Sequence, residues 1–361
     1  MSINQNKDLF YTKLAFQQAN INLGSTKTNP SVGCIVVKND SVISSGRTSL
    51  SGRPHAEANA LKKNIDYLNS DLYVTLEPCS HYGKTPPCVK KIIEKKIRRV
   101  VFSIADIDPR SKNKAQKNLK NKKIFVKKIM TSKLAKKFYQ SYFLQSSDKI
   151  PFIDAKLAIS KDYFTINNKK NWITNKKSRN LGNFLRSKYD CLLTTSETIN
   201  KDNPLLNCRI EGLEKRTPSL IIFDRYFKIN KNIKILKENN RKIYIFTTVN
   251  NLLKENFFKK KGVKIIKFSS TADDNLILKK MIFRIKKLGL NRIFVESGNT
   301  FLSKLLKNNL IKNLYLFKSS QKLLLAGQNN SSLSQIKKIK ILKKNKIKVN
   351  LYGDSLYKIN L

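Results

Sequence analysis

The chain has 361 residues, 40% of them hydrophobic, which suffices for two packed cores at roughly 150 residues per domain and excludes a disordered chain. Its formal net charge is +49, but the lysines run along the whole length among many Asn and Ile residues. The charge therefore reads as a compositional bias and a solvated basic surface rather than a nucleic-acid-binding patch. No apolar run approaches the roughly 18 residues of a membrane span, and MSINQNKDLFYTKLAF lacks the apolar core and cleavage site of a secretory signal. A cytoplasmic protein with neither a membrane nor a nucleic-acid partner is expected.

In chain order, Leu9 to Leu23 has helical spacing, and Val32 to Val37 is a β-branched run followed by a turn at Asn39-Asp40 and a strand through Val42 and Ile43. A helix is predicted from His55 to about Lys63, a strand over 72–76, a helix over 89–96, a strand over 99–104, a helix over 114–120 and a strand over 124–126. A helix from about Ser132 to Gln145 leads to the polar stretch 146–149, which suits a boundary between domains 1–147 and 148–361. Alternation then resumes, with strands near 152–157, 191–194, 219–223, 243–246 and 292–295 and helices near 176–187, 274–288 and 300–308. The lysine-rich end from about Ile336 reads as an edge hairpin. Such alternation implies α/β domains.

Five cysteines do not form a disulfide framework, and Cys79 and Cys88 cluster in a turn-rich segment. The chain has two histidines, His55 and His81, both close to these cysteines. The segments read Pro54-His55-Ala56-Glu57 and Glu77-Pro78-Cys79-Ser80-His81-Tyr82-Gly83-Lys84-Thr85-Pro86-Pro87-Cys88. A His two residues before a Glu, then Pro-Cys and a later Cys, is the signature of zinc nucleobase deaminases. One imidazole and two thiolates leave a fourth zinc position open for water, whose pKa zinc lowers to roughly 7. Glu57, not itself a ligand, then moves protons to the ring nitrogen and the departing ammonia. A closed structural zinc site with His81 as fourth ligand is the alternative, but it has no need of Glu57.

Deaminases of the short type carry P-C-x-x-C, whereas eight residues separate Cys79 from Cys88 here. That insert, with Asn29-Pro30-Ser31-Val32-Gly33-Cys34 and LEPCSH, resembles the bifunctional riboflavin-biosynthesis deaminase–reductases (RibD/RibG). The resemblance implies a cytidine-deaminase-like α/β/α sandwich followed by a dihydrofolate-reductase-like α/β domain. It implies a small phosphorylated pyrimidine substrate, Zn2+ and NADPH as cofactors, and a homo-oligomer. It places Asn29, His81 and Lys84 on the deaminase substrate. In the second half, IDAKLAIS, the Trp172-Ile173-Thr174 segment, Thr198, Asp202-Asn203-Pro204-Leu205-Leu206, Arg209 and Phe294-Val295-Glu296-Ser297-Gly298 follow the family's order. By the same resemblance, Lys156, Arg186, Leu206, Arg209 and Glu296 bind the reductase substrate, while Ala158, Trp172, Thr198 and Asp202 bind the cofactor. Departures are Thr48 in place of a histidine, Tyr163 in place of a glycine, Lys170 in place of a small hydroxyl residue, Arg225 in place of a serine, and the segment 318–321. Alternatives are a deaminase whose second half has drifted, a nucleic-acid (tRNA) editing deaminase, and a non-catalytic RNA-binding protein.

Overall fold

The computed structural model describes residues 3–129, 132–145, 150–169, 172–238, 241–269, 273–329 and 342–361. It forms two compact units, Met1–Asp148 and Lys149–Leu361, each with its own core.

The first unit runs α1 (Ile3–Ile21), β1 (Gly33–Lys38), β2 (Ser41–Arg47), α2 (Ala56–Ala60), β3 (Asp71–Val74), α3 (Cys88–Glu94), β4 (Arg99–Phe102), α4 (Lys114–Lys120), β5 (Phe125–Lys128), α5 (Ser132–Phe138) and α6 (Gln140–Gln145). Its sheet has the order β2-β1-β3-β4-β5, antiparallel on both sides of β1 and parallel from β3 to β5. Successive side chains of β1 point to opposite faces. Cys34 and Val36 pack in a core with Ala56, Ala60, Leu61 and Ile92, while Ile35 and Val37 pack with Tyr11 and Ala15 of α1.

Two glycines let the helices lie on the sheet at backbone distance. A Cβ at Gly33 would fall 1.9 Å from the Ala15 carbonyl oxygen, and one at Gly46 would fall 2.2 Å from the Ala56 oxygen and 2.4 Å from the Ala60 nitrogen. α2 is therefore pressed against β2, and the residues at its start are fixed in space. This helix is shorter than the sequence predicts. His55 is its extended cap (φ −70°, ψ 164°), and beyond Leu61 the exposed Lys62 and Lys63 have nothing apolar to bury. The predicted helix over 132–145 is interrupted at Tyr139, whose buried ring sends its hydroxyl to Thr75 Oγ1 at 2.6 Å.

The second unit runs β6 (Phe152–Ile159), β7 (Ile166–Asn167), α7 (Lys176–Arg186), β8 (Cys191–Thr195), α8 (Ser196–Asp202), β9 (Ser219–Phe223), β10 (Ile243–Thr247), α9 (Leu252–Lys260), β11 (Lys264–Lys267), α10 (Asp274–Lys287), β12 (Arg292–Val295), α11 (Asn299–Lys307), β13 (Asn313–Lys318), β14 (Gly327–Gln328) and β15 (Ser355–Asn360). The main sheet has the order β11-β10-β9-β8-β12-β6-β13-β15 and is parallel except for the β13/β15 pair. Strands covered on both faces read as continuous apolar runs, as in Leu220-Ile221-Ile222, which is wholly buried. Ile153, Ala155 and Leu157 of β6 pack with Met281, Ile282 and Ile285 of α10 and with Leu302 and Leu305 of α11.

The predicted terminal hairpin differs from the structure. Residues 336–341 lie outside the described residues, and 343–345 form a single helical turn. The strand is Ser355–Asn360, which pairs with distant β13, where Leu356 and Ile359 are buried; of the hairpin the antiparallel bridges Lys346–Tyr357 and Leu351–Asp354 are formed, with the Ile347 N–H donating to the Leu356 carbonyl at 2.8 Å.

Gly46→Ala is expected to destabilise the first unit by about 1–3 kcal/mol through forced overpacking, read as a lower melting temperature. An unchanged melting temperature would mean that α2 lifts from β2 without cost.

Candidate active sites

The cap of α2 and the first residue of α3 bring the ligand types together. The His55 imidazole and the Cys79 and Cys88 thiols place their donor atoms within 4.8 Å of one another. His55 Nδ1 lies 3.6 Å from Cys79 Sγ and 3.5 Å from Cys88 Sγ, and the Cys88 backbone N–H donates to Cys79 Sγ at 3.3 Å. Glu57, 4% exposed, is the second residue of α2, beside them.

From the protein's own charges alone, this pocket is over-supplied with acids. Contact with the Cys88 thiol, and then with His55, holds the Cys79 thiol down at about 4. Cys79 and burial push the Cys88 thiol well up, and burial followed by Cys79 raises the Glu57 carboxyl to about 7. Contact with Cys79 raises the His55 imidazole. Three groups that cannot all be anionic in one buried space fit a resident cation, and an N, S, S donor set suits zinc. Among the described residues the cluster holds no fourth ligand. His81 has Nδ1 on Ser111 Oγ at 2.7 Å instead, so the site is open rather than closed.

The surrounding loops hold the other first-unit candidates. The buried Glu77 carboxylate accepts the backbone N–H groups of Asp106 (3.2 Å), Asn113 (3.0 Å) and Ala115 (3.2 Å). This fixes the loop that carries Ser111, the partner of His81. Asn29 closes a turn on Thr26 and packs against Gly52, where a Cβ would fall 2.3 Å from Asn29 Nδ2. Thr48 is 1% exposed; its Oγ1 accepts the Val32 N–H at 2.9 Å and donates to the Pro30 carbonyl at 3.1 Å, so it sews down the Asn29 loop. Lys84 is exposed in the insert. Glu77 and Ser111 were not singled out from sequence. Their only signal was a glutamate directly before Pro78-Cys79.

In the second unit, chain direction along the sheet reverses around β8, β12 and β6, and ligand clefts form outside the C-terminal ends of strands at such a switch point. Lys156, Arg186, Arg209 and Glu296 meet there. Arg186 Nε and Nη2 donate to Glu296 at 2.5 and 3.0 Å, and its Nη1 donates to Asn183 Oδ1 and the Asn207 carbonyl at 2.8 and 3.0 Å. Burial opposes the Glu296 charge, yet Arg186, Lys156 and Arg209 hold its carboxyl below the usual range. Burial lowers the half-buried Lys156 ammonium.

Thr198 Oγ1 accepts the Gly298 N–H at 3.3 Å, and a Cβ at Gly298 would meet nothing within 4 Å, so the start of α11 faces open space suited to a cofactor phosphate. Ala158 is half-buried in β6, and buried Leu206 has a left-handed backbone (φ 50°) with its carbonyl accepting from Arg241 at 2.6 Å. Asp202 is exposed and bonded to none of these residues. Trp172 is 58% exposed, with the Arg179 guanidinium 4.7 Å over its ring.

Of the departures, Tyr163 keeps a left-handed backbone at φ 70°, the conformation that favours glycine. Its hydroxyl accepts from Lys318 Nζ at 3.2 Å. Arg225 is ion-paired with Asp274, and Lys170 lies outside the described residues.

Residues 5–104 match the cytidine and deoxycytidylate deaminase zinc-binding region, and residues 151–348 match the RibD C-terminal domain. The chain is similar to the riboflavin biosynthesis protein RibD of Buchnera aphidicola, with 33% identity over 93% of this chain and 95% of that one. It is similar over 99% of both chains to the structure of Acinetobacter baumannii RibD (form 1), at 25% identity and TM-score 0.82. It is likewise similar over 99% of both chains to a diaminohydroxyphosphoribosylaminopyrimidine deaminase/5-amino-6-(5-phosphoribosylamino)uracil reductase from Thermotoga maritima, at 25% identity and TM-score 0.79.

Glu296→Ala leaves the Arg186 guanidinium buried without its counter-ion and is expected to cost about 3–5 kcal/mol. Thermal or denaturant unfolding monitored in the second unit checks this.

Proposed function

The chain belongs to the RibD family of riboflavin biosynthesis, and we propose that in it His55, Cys79 and Cys88 hold the zinc while Glu57 moves the protons of deamination. The protein is a bifunctional enzyme, a deaminase and an NADPH-dependent reductase. Neither the deaminase-only nor the nucleic-acid (tRNA) editing reading is favoured, since likeness to RibD extends across both halves. The observation that carries the assignment is the convergence of three ligand atoms within 4.8 Å beside a buried carboxyl that is not one of them.

The substrate is a small phosphorylated pyrimidine, 2,5-diamino-6-ribosylamino-4(3H)-pyrimidinone 5′-phosphate, deaminated over residues 1–147 and then reduced from ribosyl to ribityl over 148–361. Zinc, when bound, supplies the Lewis acidity that makes water nucleophilic near neutral pH. Glu57 takes one proton of the attacking water to the ring nitrogen, where it stays, and then carries the second, from the added hydroxyl, to the departing ammonia. Burial supports this shuttle by keeping its carboxyl near neutrality, where giving and taking a proton are both cheap. Asn29 orients the pyrimidine, and His81 and Lys84 meet the substrate and its phosphate.

In the second site, NADPH supplies the hydride donor, held by Ala158, Trp172, Thr198 and Asp202. Arg186 has its guanidinium committed to Glu296, Asn183 and Asn207, so its part in the substrate site is to hold Glu296 in place. Lys156 and Arg209 are the cations left for the ribosyl phosphate, with Leu206 as an apolar wall. The reading includes a cytoplasmic homo-oligomer. No described helix is long and apolar enough to cross a membrane.

Purified zinc-loaded protein given the aminopyrimidinone ribosyl phosphate and NADPH is expected to release ammonia and oxidise NADPH in matched amounts. Ammonia without NADPH loss would overturn the reductase half of the reading, and no ammonia would overturn the substrate. Glu57→Gln is expected to keep its zinc, measured by metal analysis, and to lose about 10²- to 10⁴-fold in ammonia release.

A further inference from the structure

Around Gly83, in the loop between the two ligand cysteines, a guanidinium and an imidazole converge. A Cβ placed on Gly83 would lie 3.7 Å from Arg53 Nη2 and 3.9 Å from His81 Nε2, so guanidinium and imidazole flank the same glycine. Arg53 Nη1 donates to Thr85 Oγ1 at 2.5 Å, which anchors the guanidinium to this loop. Ser111 occupies His81 Nδ1 and leaves Nε2 for another partner. Lys84 is the next residue in the chain.

Lack of an acid does not by itself single out Arg53, since Arg47 and Arg179 also form no ion pair among the described residues and bond to Gln18 and to the Thr174 carbonyl; its place does. Arg53 is only half exposed, is held in place by Thr85, and forms no ion pair among the described residues. It also stands two residues before the ligand His55, so its distance from the deamination site is set by the chain itself.

We propose that Arg53 binds the 5′-phosphate of the deaminase substrate, with Thr85 orienting its guanidinium and His81 Nε2 and Lys84 as flanking donors; this rests on the deaminase reading above. A guanidinium presents parallel N–H groups that match two phosphate oxygens, whereas an exposed lysine is a mobile point charge. Arg53 therefore decides which pyrimidines are accepted, and Lys84 adds charge.

The test compares ammonia release by the full zinc-loaded chain from the phosphorylated substrate and from its dephosphorylated counterpart. In Arg53→Ala the ratio of kcat/KM for phosphorylated over dephosphorylated substrate is expected to fall about 10- to 100-fold, as for loss of a charge-assisted bidentate contact. Arg53→Lys should lie between. Inorganic phosphate should inhibit the wild type competitively and the alanine variant far less. An unchanged ratio, with both substrates equally slowed, would overturn the proposal and mark Arg53 as a structural prop for Thr85. If the wild type released no ammonia from either substrate, the deaminase reading would fail separately. Arg53 would then be judged by whether added inorganic phosphate moves the His81 ring NMR signals in the wild type but not in Arg53→Ala; equal movement in both would overturn it.

Discussion

The Glu77 carboxylate, buried three residues past β3, takes three backbone N–H groups from the loop after β4 and the start of α4, some thirty to forty residues further on. A buried charge without a cation partner is costly unless hydrogen bonds surround it, and here they come from peptide groups that would otherwise be orphaned. Much of the first site hangs from this knot. Two residues later comes Cys79 of the His/Cys/Cys cluster. Four residues later comes His81, whose ring is set by Ser111 in the tethered loop. On the opposite side Gly46 lets α2 settle on β2, which brings His55 and Glu57 to meet the cysteines. Two independent backbone constraints thus converge on one constellation.

The two sites handle charge in opposite senses. In the first unit, two thiols and a carboxyl share a small volume, so the protein alone leaves the group short of positive charge. In the second, two arginines and a lysine gather on one glutamate, and the cleft is short of negative charge. Each imbalance complements what is proposed for the site: a metal cation in one case, a phosphorylated sugar and a dinucleotide in the other. The overall charge of +49 says little about either, because it is spread over the surface.

The His55, Cys79 and Cys88 cluster was legible because its spacing within His55–Cys88 is set by local turns and two short helices, which a motif encodes. The alternating layout of both units was legible for the same reason, as runs such as Cys34–Val37 carry their own periodicity. Glu77 was not legible in its role, since its partners are main-chain groups that leave no mark in side-chain pattern. α8, α9, β11 and β13 were missed. β13 in particular takes its meaning from β6 and from β15, some forty residues on, and no local window contains that pairing. Tyr163 looked like a lost glycine, but the left-handed turn survives there, with the aromatic ring set beside Lys318.

The order of strands in the second unit also bears on how the chain comes into being. β12 emerges after β6, β8, β9, β10 and β11, yet it lies between β6 and β8 at the centre of the sheet. Until residues 292–295 are synthesised, β6 and the block β8–β11 share no hydrogen-bonded border, and each offers the other nascent chains an apolar edge. A four-residue strand is the keystone that joins them. Assembly of this half thus waits on a long-range closure, a slow class of folding event, and for that interval during translation the exposed edges are what a chaperone would have to shield.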